Sequence, residues 1–357
     1  LAELEFRDQA LKKEASMKRA AIWILAALLG VTGLCLPAAA KDYLYVPCVN
    51  TLHIIDCETD TVVKTVSYND YIVACMPSPD GKRFYMNSWH SVYAVDTETN
   101  QIVDRFDFWS DLNRVVVMGG IAVSPDGNYL YLSASITKKK LNIPRLNVLP
   151  PQLVVYDIRK RQVAKSFEIP PTCTALVAPP DDPDHVILLA QDVFKLNLKD
   201  GKLEKILGVL HPEAGKPGLN ALAIWNNWSP GKNPFVSMPA YSTQDLFYVL
   251  IDKNGKLTLL KGAEVFFAYS TTVSPDQKNI YAVMDEVYKV DFETGKTLAM
   301  DPLERGTCYA LALTSDGKKL YVGPSGPDLS VYDTATMKRI GIIPLKGDGV
   351  MTSLITK

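Results

Sequence analysis

The sequence predicts an all-β protein, a seven-bladed β-propeller of four-stranded blades whose ring is closed by the C-terminal strand pairing into the first blade. Three observations predict it. The turn Ser78-Pro-Asp-Gly81 opens a meander of three short strands, and that meander recurs along the chain. An apolar run precedes each copy but the first, and the chain ends on one more such run, Val350 to Ile355, with no meander after it. Copies repeating at roughly 40 to 55 residues indicate a propeller or solenoid.

The first copy starts at Lys41, and the others start at Ser78, Ser124, Ala178, Trp228, Ser274 and Thr314. In the turn, proline presets φ, aspartate bonds its own backbone and glycine takes positive φ. Arg83 to Met86, Ser91 to Val95 and Gln101 to Phe106 then alternate as strands, joined by the Asp96 to Asn100 turn, with no helical period. The apolar runs Ile72–Met76, Gly119–Val123, Thr172–Val177, Asn220–Trp225, Tyr269–Val273 and Cys308–Leu313 read as the inner strands of six blades. The seventh is missing only from the first copy, and Val350 to Ile355 fills that place. Ring closure leaves short, protected edges.

Ahead of the repeats, residues 17–40 read as a secretory signal. Lys18 and Arg19 form the charged start, Ala20 to Leu36 the apolar stretch, and Pro37-Ala-Ala-Ala40 the cleavage site, with cleavage expected after Ala40. An uncleaved anchor is the alternative. Residues 1–16 are an upstream extension or an overcalled start, and residues 41–357 form the propeller. The mature chain is expected to begin at Lys41 and to be exported.

At 357 residues, 47% hydrophobic and 22% charged, the chain has ordinary globular composition. Its formal charge of −1 argues against nucleic acid or an anionic membrane as the main partner. Without residues 1–40, 33 basic residues face 35 acidic ones, and the conclusion stands. Cys48, Cys57, Cys75, Cys173 and Cys308 remain, an odd number, and read as buried free thiols, the last three on inner strands. Two segments break the rhythm, Thr137 to Gln152 with Lys138-Lys-Lys140 and three prolines, and Leu207 to Gly218. Long loops in a tight repeat are commonly functional.

Chemistry-bearing motifs are few. The sequence has no Cys-x-x-Cys-His haem attachment, phosphate loop, dinucleotide fingerprint or nucleophile elbow. His53, His90, His185 and His211 have no metal-ligand spacing, and Asp181, Asp182 and Asp184 read as a solvated turn. No catalytic, cofactor-binding or metal-binding residue is assigned. Aromatic and amide residues crowd the later half at or beside inner strands. Trp225, Asn226, Tyr241, Phe267, Tyr269 and Tyr309 are candidates for a substrate pocket or subunit interface, with packing between blades as the alternative.

The segments Leu141–Asp157, Leu222–Asn226, Met238–Ser242 and Glu264–Thr271 resemble the β-subunit family of the quinohemoprotein amine dehydrogenases, with similarity from Lys41 to Thr356. The resemblance implies a periplasmic location and a heterotrimer with a diheme cytochrome c subunit and a small subunit bearing cysteine tryptophylquinone. The propeller encloses and supports the small subunit, binds no cofactor covalently and is inactive alone. The complex oxidises primary amines to aldehydes and ammonia and passes electrons to haem c. Neither nucleic acid nor, after signal removal, a membrane is expected as a partner. No catalytic residue of the family maps onto this chain. A stand-alone exported binding or scaffold propeller and a propeller hydrolase such as a lactonase are the alternative readings.

Overall fold

Each Ser-Pro-Asp-Gly turn is built by its own first and third residues. In the computed structural model, which describes residues 41–221, 233–304, 306–323, 326–349 and 353–356, the Ser78 hydroxyl donates to Asp80 at 2.6 Å and accepts the Arg83 N–H at 2.9 Å. Gly81 sits at φ 70°, where a side chain is disfavoured. Ser124–Asp126, Ser274–Asp276 and Thr314–Asp316 repeat the hydroxyl–carboxylate bond. Gln277 takes the glycine position at φ 57°. The later turn is equally local: Asp96 accepts the N–H groups of Glu98 and Thr99, and Asn100 lies at φ 53°.

These turns fold the chain into seven antiparallel sheets, a seven-bladed β-propeller with the inner strands succeeding one another around its axis. Six blades have four strands, and blade 3 has five. Its inner strand runs from Asn113 to Val123 rather than from Gly119, and the insertion contributes an extra strand, Asn147–Val148, paired with Thr137 and Lys138. Elsewhere the inner strands are shorter than the apolar runs, as in Ala175–Val177, Ser270–Val273 and Ala310–Leu313. The residues just before each strand belong to the loops that enter it. Inner strands such as Ala74–Pro77 and Ala310–Leu313 are buried on both faces, so they read as continuous apolar runs. Outer strands such as Gln101–Asp107 alternate with solvent.

Blade contacts reuse one device. A tyrosine on the second strand of a blade reaches the late turn of the next: Tyr45 to Asn100, Tyr321 to Asp60, and Tyr281 to Thr334. The thiols of Cys48, Cys57, Cys75 and Cys173 are buried, and burial pushes those of Cys48, Cys57 and Cys173 up to about 12, so they stay protonated. Cys173 and Cys308 precede their inner strands rather than lying on them, and Cys308 is only half-buried.

The ring closes as the repeat order requires. Ser353–Thr356 pairs antiparallel with Asp42–Tyr45, completing blade 1. The chain leading to it is held by Val49 N–H to the Asp348 carbonyl and by buried His53, whose Nε2 accepts the Lys346 N–H at 3.0 Å while Nδ1 contacts Thr65. Burial lowers the His53 pKa, the Lys346 charge acts in the same direction, and the Lys346 carbonyl opposes them. A depressed folded pKa means that the stabilisation is complete above the unfolded value of about 6.5 and is lost as pH falls through the folded value. The melting temperature is expected to drop below about pH 6.5 more steeply in the wild type than in His53→Gln. Parallel pH profiles would remove His53 from this role.

Candidate functional site

All inner strands start at the same end of the ring, because every blade repeats one strand order. The connections between blades and the turns between second and third strands therefore share one face, the mouth face. Both long insertions lie on it.

The structure brings four of the six sequence candidates together there. Tyr241 closes the second strand of blade 5, Phe235–Tyr241, rather than an inner strand. Phe267 and Tyr269 lie in the loop entering blade 6, and Tyr309 in the loop entering blade 7. The Tyr241 and Phe267 rings are 5.5 Å apart, and Tyr269 and Tyr309 are 5.2 Å apart. Tyr241 joins the pairs by accepting the Ala268 N–H at 2.6 Å and donating to the Ala268 carbonyl at 3.1 Å. Burial raises its phenol to about 12, so it serves as a neutral hydrogen-bonding group. Tyr269 and Tyr309 donate their backbone N–H groups to Val283 and Gly323, which seats both residues at the entrance to their inner strands. Trp225 and Asn226 lie outside the described residues.

The neighbouring aromatics divide between packing and surface. Phe266 turns inward and stacks on Tyr288 with ring centroids 3.7 Å apart, whereas Phe267 is 65% exposed. Such an exposed phenyl on a rigid loop is a contact surface rather than core. Carboxylates that no sequence motif marks gather around the neighbouring Tyr288. Tyr288 is raised to about 12 by burial and then by its hydrogen bond to Glu286, with Asp285 and Glu264 adding to the effect. A rim of carboxylates beside aromatic faces attracts cations. Glu264 is distant in sequence from the adjacent pair Asp285 and Glu286, and the loops of blades 5 and 6 bring the three together.

A cavity of about 340 Å³ opens between blade 7 and the connection that enters it, lined among others by Leu303, Cys308, Val322, Ser330, Arg339 and Ile342. Arg339 pairs with Glu304 at 2.8 Å. On the opposite face, Asp182 is matched by His185 and Lys195, each at 2.7 Å, and Asp184 pairs with Lys199. Side chains of the same blade therefore partner Asp182 and Asp184. Among the described residues no group of His, Cys, Asp and Glu is arranged to hold a metal ion.

No protein-family model matches the chain. No curated protein matches it significantly in sequence. Solved structures are similar in fold. A functionally unknown protein from Desulfotomaculum acetoxidans aligns with a TM-score of 0.58 at 12% identity, over 88% of this chain and 98% of its own. The dihydro-heme d1 dehydrogenase NirN, solved in complex with DHE, aligns at 0.54 and 14% identity, over 87% and 74%. Hydrazine synthase from Kuenenia stuttgartiensis aligns at 0.55 and 15% identity, over 78% and 88%. The likeness is one of fold. At such identities a shared propeller does not carry a shared chemistry.

Proposed function

We propose that the chain is the non-redox propeller subunit of a periplasmic quinohemoprotein amine dehydrogenase, exported by a signal cleaved after Ala40. The carrying observation is the aromatic surface of Tyr241, Phe267, Tyr269 and Tyr309 on the mouth face, with Phe267 exposed and carboxylates around Tyr288, the ring on which its neighbour Phe266 stacks. Two of the segments that resemble the family, Met238–Ser242 and Glu264–Thr271, supply three of these four residues.

In this reading the surface supports the small quinone-bearing subunit and forms one wall of the amine site, while the diheme cytochrome takes the electrons. Each turnover converts a primary amine and water to an aldehyde and ammonia and releases two electrons and two protons. Aromatic faces suit the carbon chain of the amine, and Glu264, Asp285 and Glu286 raise the local concentration of an ammonium ion. The sequence has no haem-attachment motif, which fits a division of labour with redox groups on the partners.

The purified chain 41–357 is expected to show no haem absorbance, quinone staining or amine oxidation, all three appearing in the complex isolated from its host. Turnover by the isolated chain would overturn the subunit reading. Phe267→Ala is expected to lower turnover or assembly about tenfold, which corresponds to one lost apolar contact of about 1.4 kcal/mol. Its melting temperature should barely move, because the ring is exposed. A loss of about 3 to 5 kcal/mol of stability, with normal assembly of what remains folded, would instead mark Phe267 as core.

A further inference from the structure

The insertion in blade 3 forms a structured projection. Asn113–Val117 pairs with Ala134–Lys138, and Asn147–Val148 pairs with Lys138 and Thr137. The third strand of the blade begins pairing at Gln152 opposite Ala134. The ribbon therefore continues four residues past the sheet, about 13 Å at strand rise. Trp109 braces its base, donating from Nε1 to the Val115 carbonyl at 2.7 Å, and packs against His90 and Arg114.

Residues 138–148 are all exposed, eleven in succession. Leu141 is 85% exposed and Val148 70%, and Ile143 and Leu146 are also exposed. The same ribbon carries Lys138, Lys139, Lys140, Arg145 and Arg114 against the single carboxylate of Asp111. Among the described residues none of the five cations makes an ion pair. The near-neutral charge of the chain averages over this patch and conceals it.

We propose that the ribbon docks the protein on an anionic phospholipid surface, its aliphatic tip entering the headgroup boundary while the lysines and arginines bind lipid phosphates. Exposed aliphatics flanked by cations, with tryptophan at the base, are the composition that holds proteins at such boundaries, typically about 5–10 Å deep. The projection is long enough to reach that depth without bringing the mouth face into the bilayer. A protein partner is the less favoured occupant, because interfaces between proteins are depleted in lysine and three lysines stand together here. The inference does not depend on the proposed amine dehydrogenase role.

The test is vesicle flotation of the purified chain 41–357. Vesicles of phosphatidylcholine carrying about one third phosphatidylglycerol should bind it at least about tenfold better than phosphatidylcholine alone, and less well as salt rises. Lys138→Glu/Lys139→Glu/Lys140→Glu and, separately, Leu141→Ser/Ile143→Ser should each weaken binding about tenfold with melting temperature unchanged. Absence of binding, equal binding to both vesicles, or wild-type binding by either variant would overturn the proposal. Loss of complex assembly in these variants without vesicle binding would also overturn it and assign the ribbon to a protein partner.

Discussion

Removing residues 353–357 is expected to abolish cooperative folding. The Ser353–Thr356 strand supplies the inner edge of blade 1 along Asp42–Tyr45, and Ile355 is buried in the main core with Tyr45 and Leu52. Without it, the N–H and C=O groups of the Asp42–Cys48 strand face an open channel. Leu44, Tyr45 and Val46, fully buried in the closed ring, lose part of their cover. An apolar strand with an unpaired edge recruits another chain. The truncated protein should therefore elute as aggregate in size-exclusion chromatography and lose its calorimetric transition. Ile355→Ala is the graded form of the experiment and should cost about 2 to 5 kcal/mol. A monomeric truncation with wild-type melting would show that the ring is held without its last strand.

Tyr321→Ala should be the most damaging single substitution at the same junction. Its ring is fully buried between blades 7 and 1, and its hydroxyl bonds Asp60, which also pairs with Lys319 at 2.7 Å. Asp42 adds a second clasp by accepting from the Ser315 N–H and hydroxyl, each at 2.6 Å. Truncating a buried aromatic costs about 3 to 5 kcal/mol, here on the order of 10 °C in melting temperature. Tyr321→Phe keeps the ring and loses the hydroxyl, so it should cost about 1 to 3 kcal/mol. Thermal unfolding of the pair separates packing from hydrogen bonding. Equal losses in both variants would place the whole effect in the Asp60 bond and contradict the packing account.

Much of the fold is legible in the sequence because its determinants are short-range. Ser78, Asp80 and Gly81 make their turn with neighbours no more than five residues away, and Gln277 shows that the hydroxyl and aspartate carry the turn even where glycine is absent. The extra strand in blade 3 is different. Asn147–Val148 sits in a proline-rich stretch without alternation, and only pairing with Lys138 and Thr137 makes it a strand. Tyr241 departs from the sequence expectation for a similar reason. Its neighbours suggest an inner strand, whereas pairing to both Asn220 and Leu246 makes it the end of a second strand.

The repeat, the turn chemistry, the number of blades and the place of the closing strand are all written in the sequence. Each follows from alternation and from residues a few positions apart. Folding selects which aromatic faces solvent: Phe266 stacks on Tyr288 while Phe267, its neighbour, stands exposed. It also gathers Glu264, Asp285 and Glu286 around Tyr288 and places the Lys138–Val148 loop on the mouth face. Period-2 patterning states that a side chain lies on one side of a strand. It does not state which blade, loop or solvent lies on that side, because that depends on how seven sheets close around one axis.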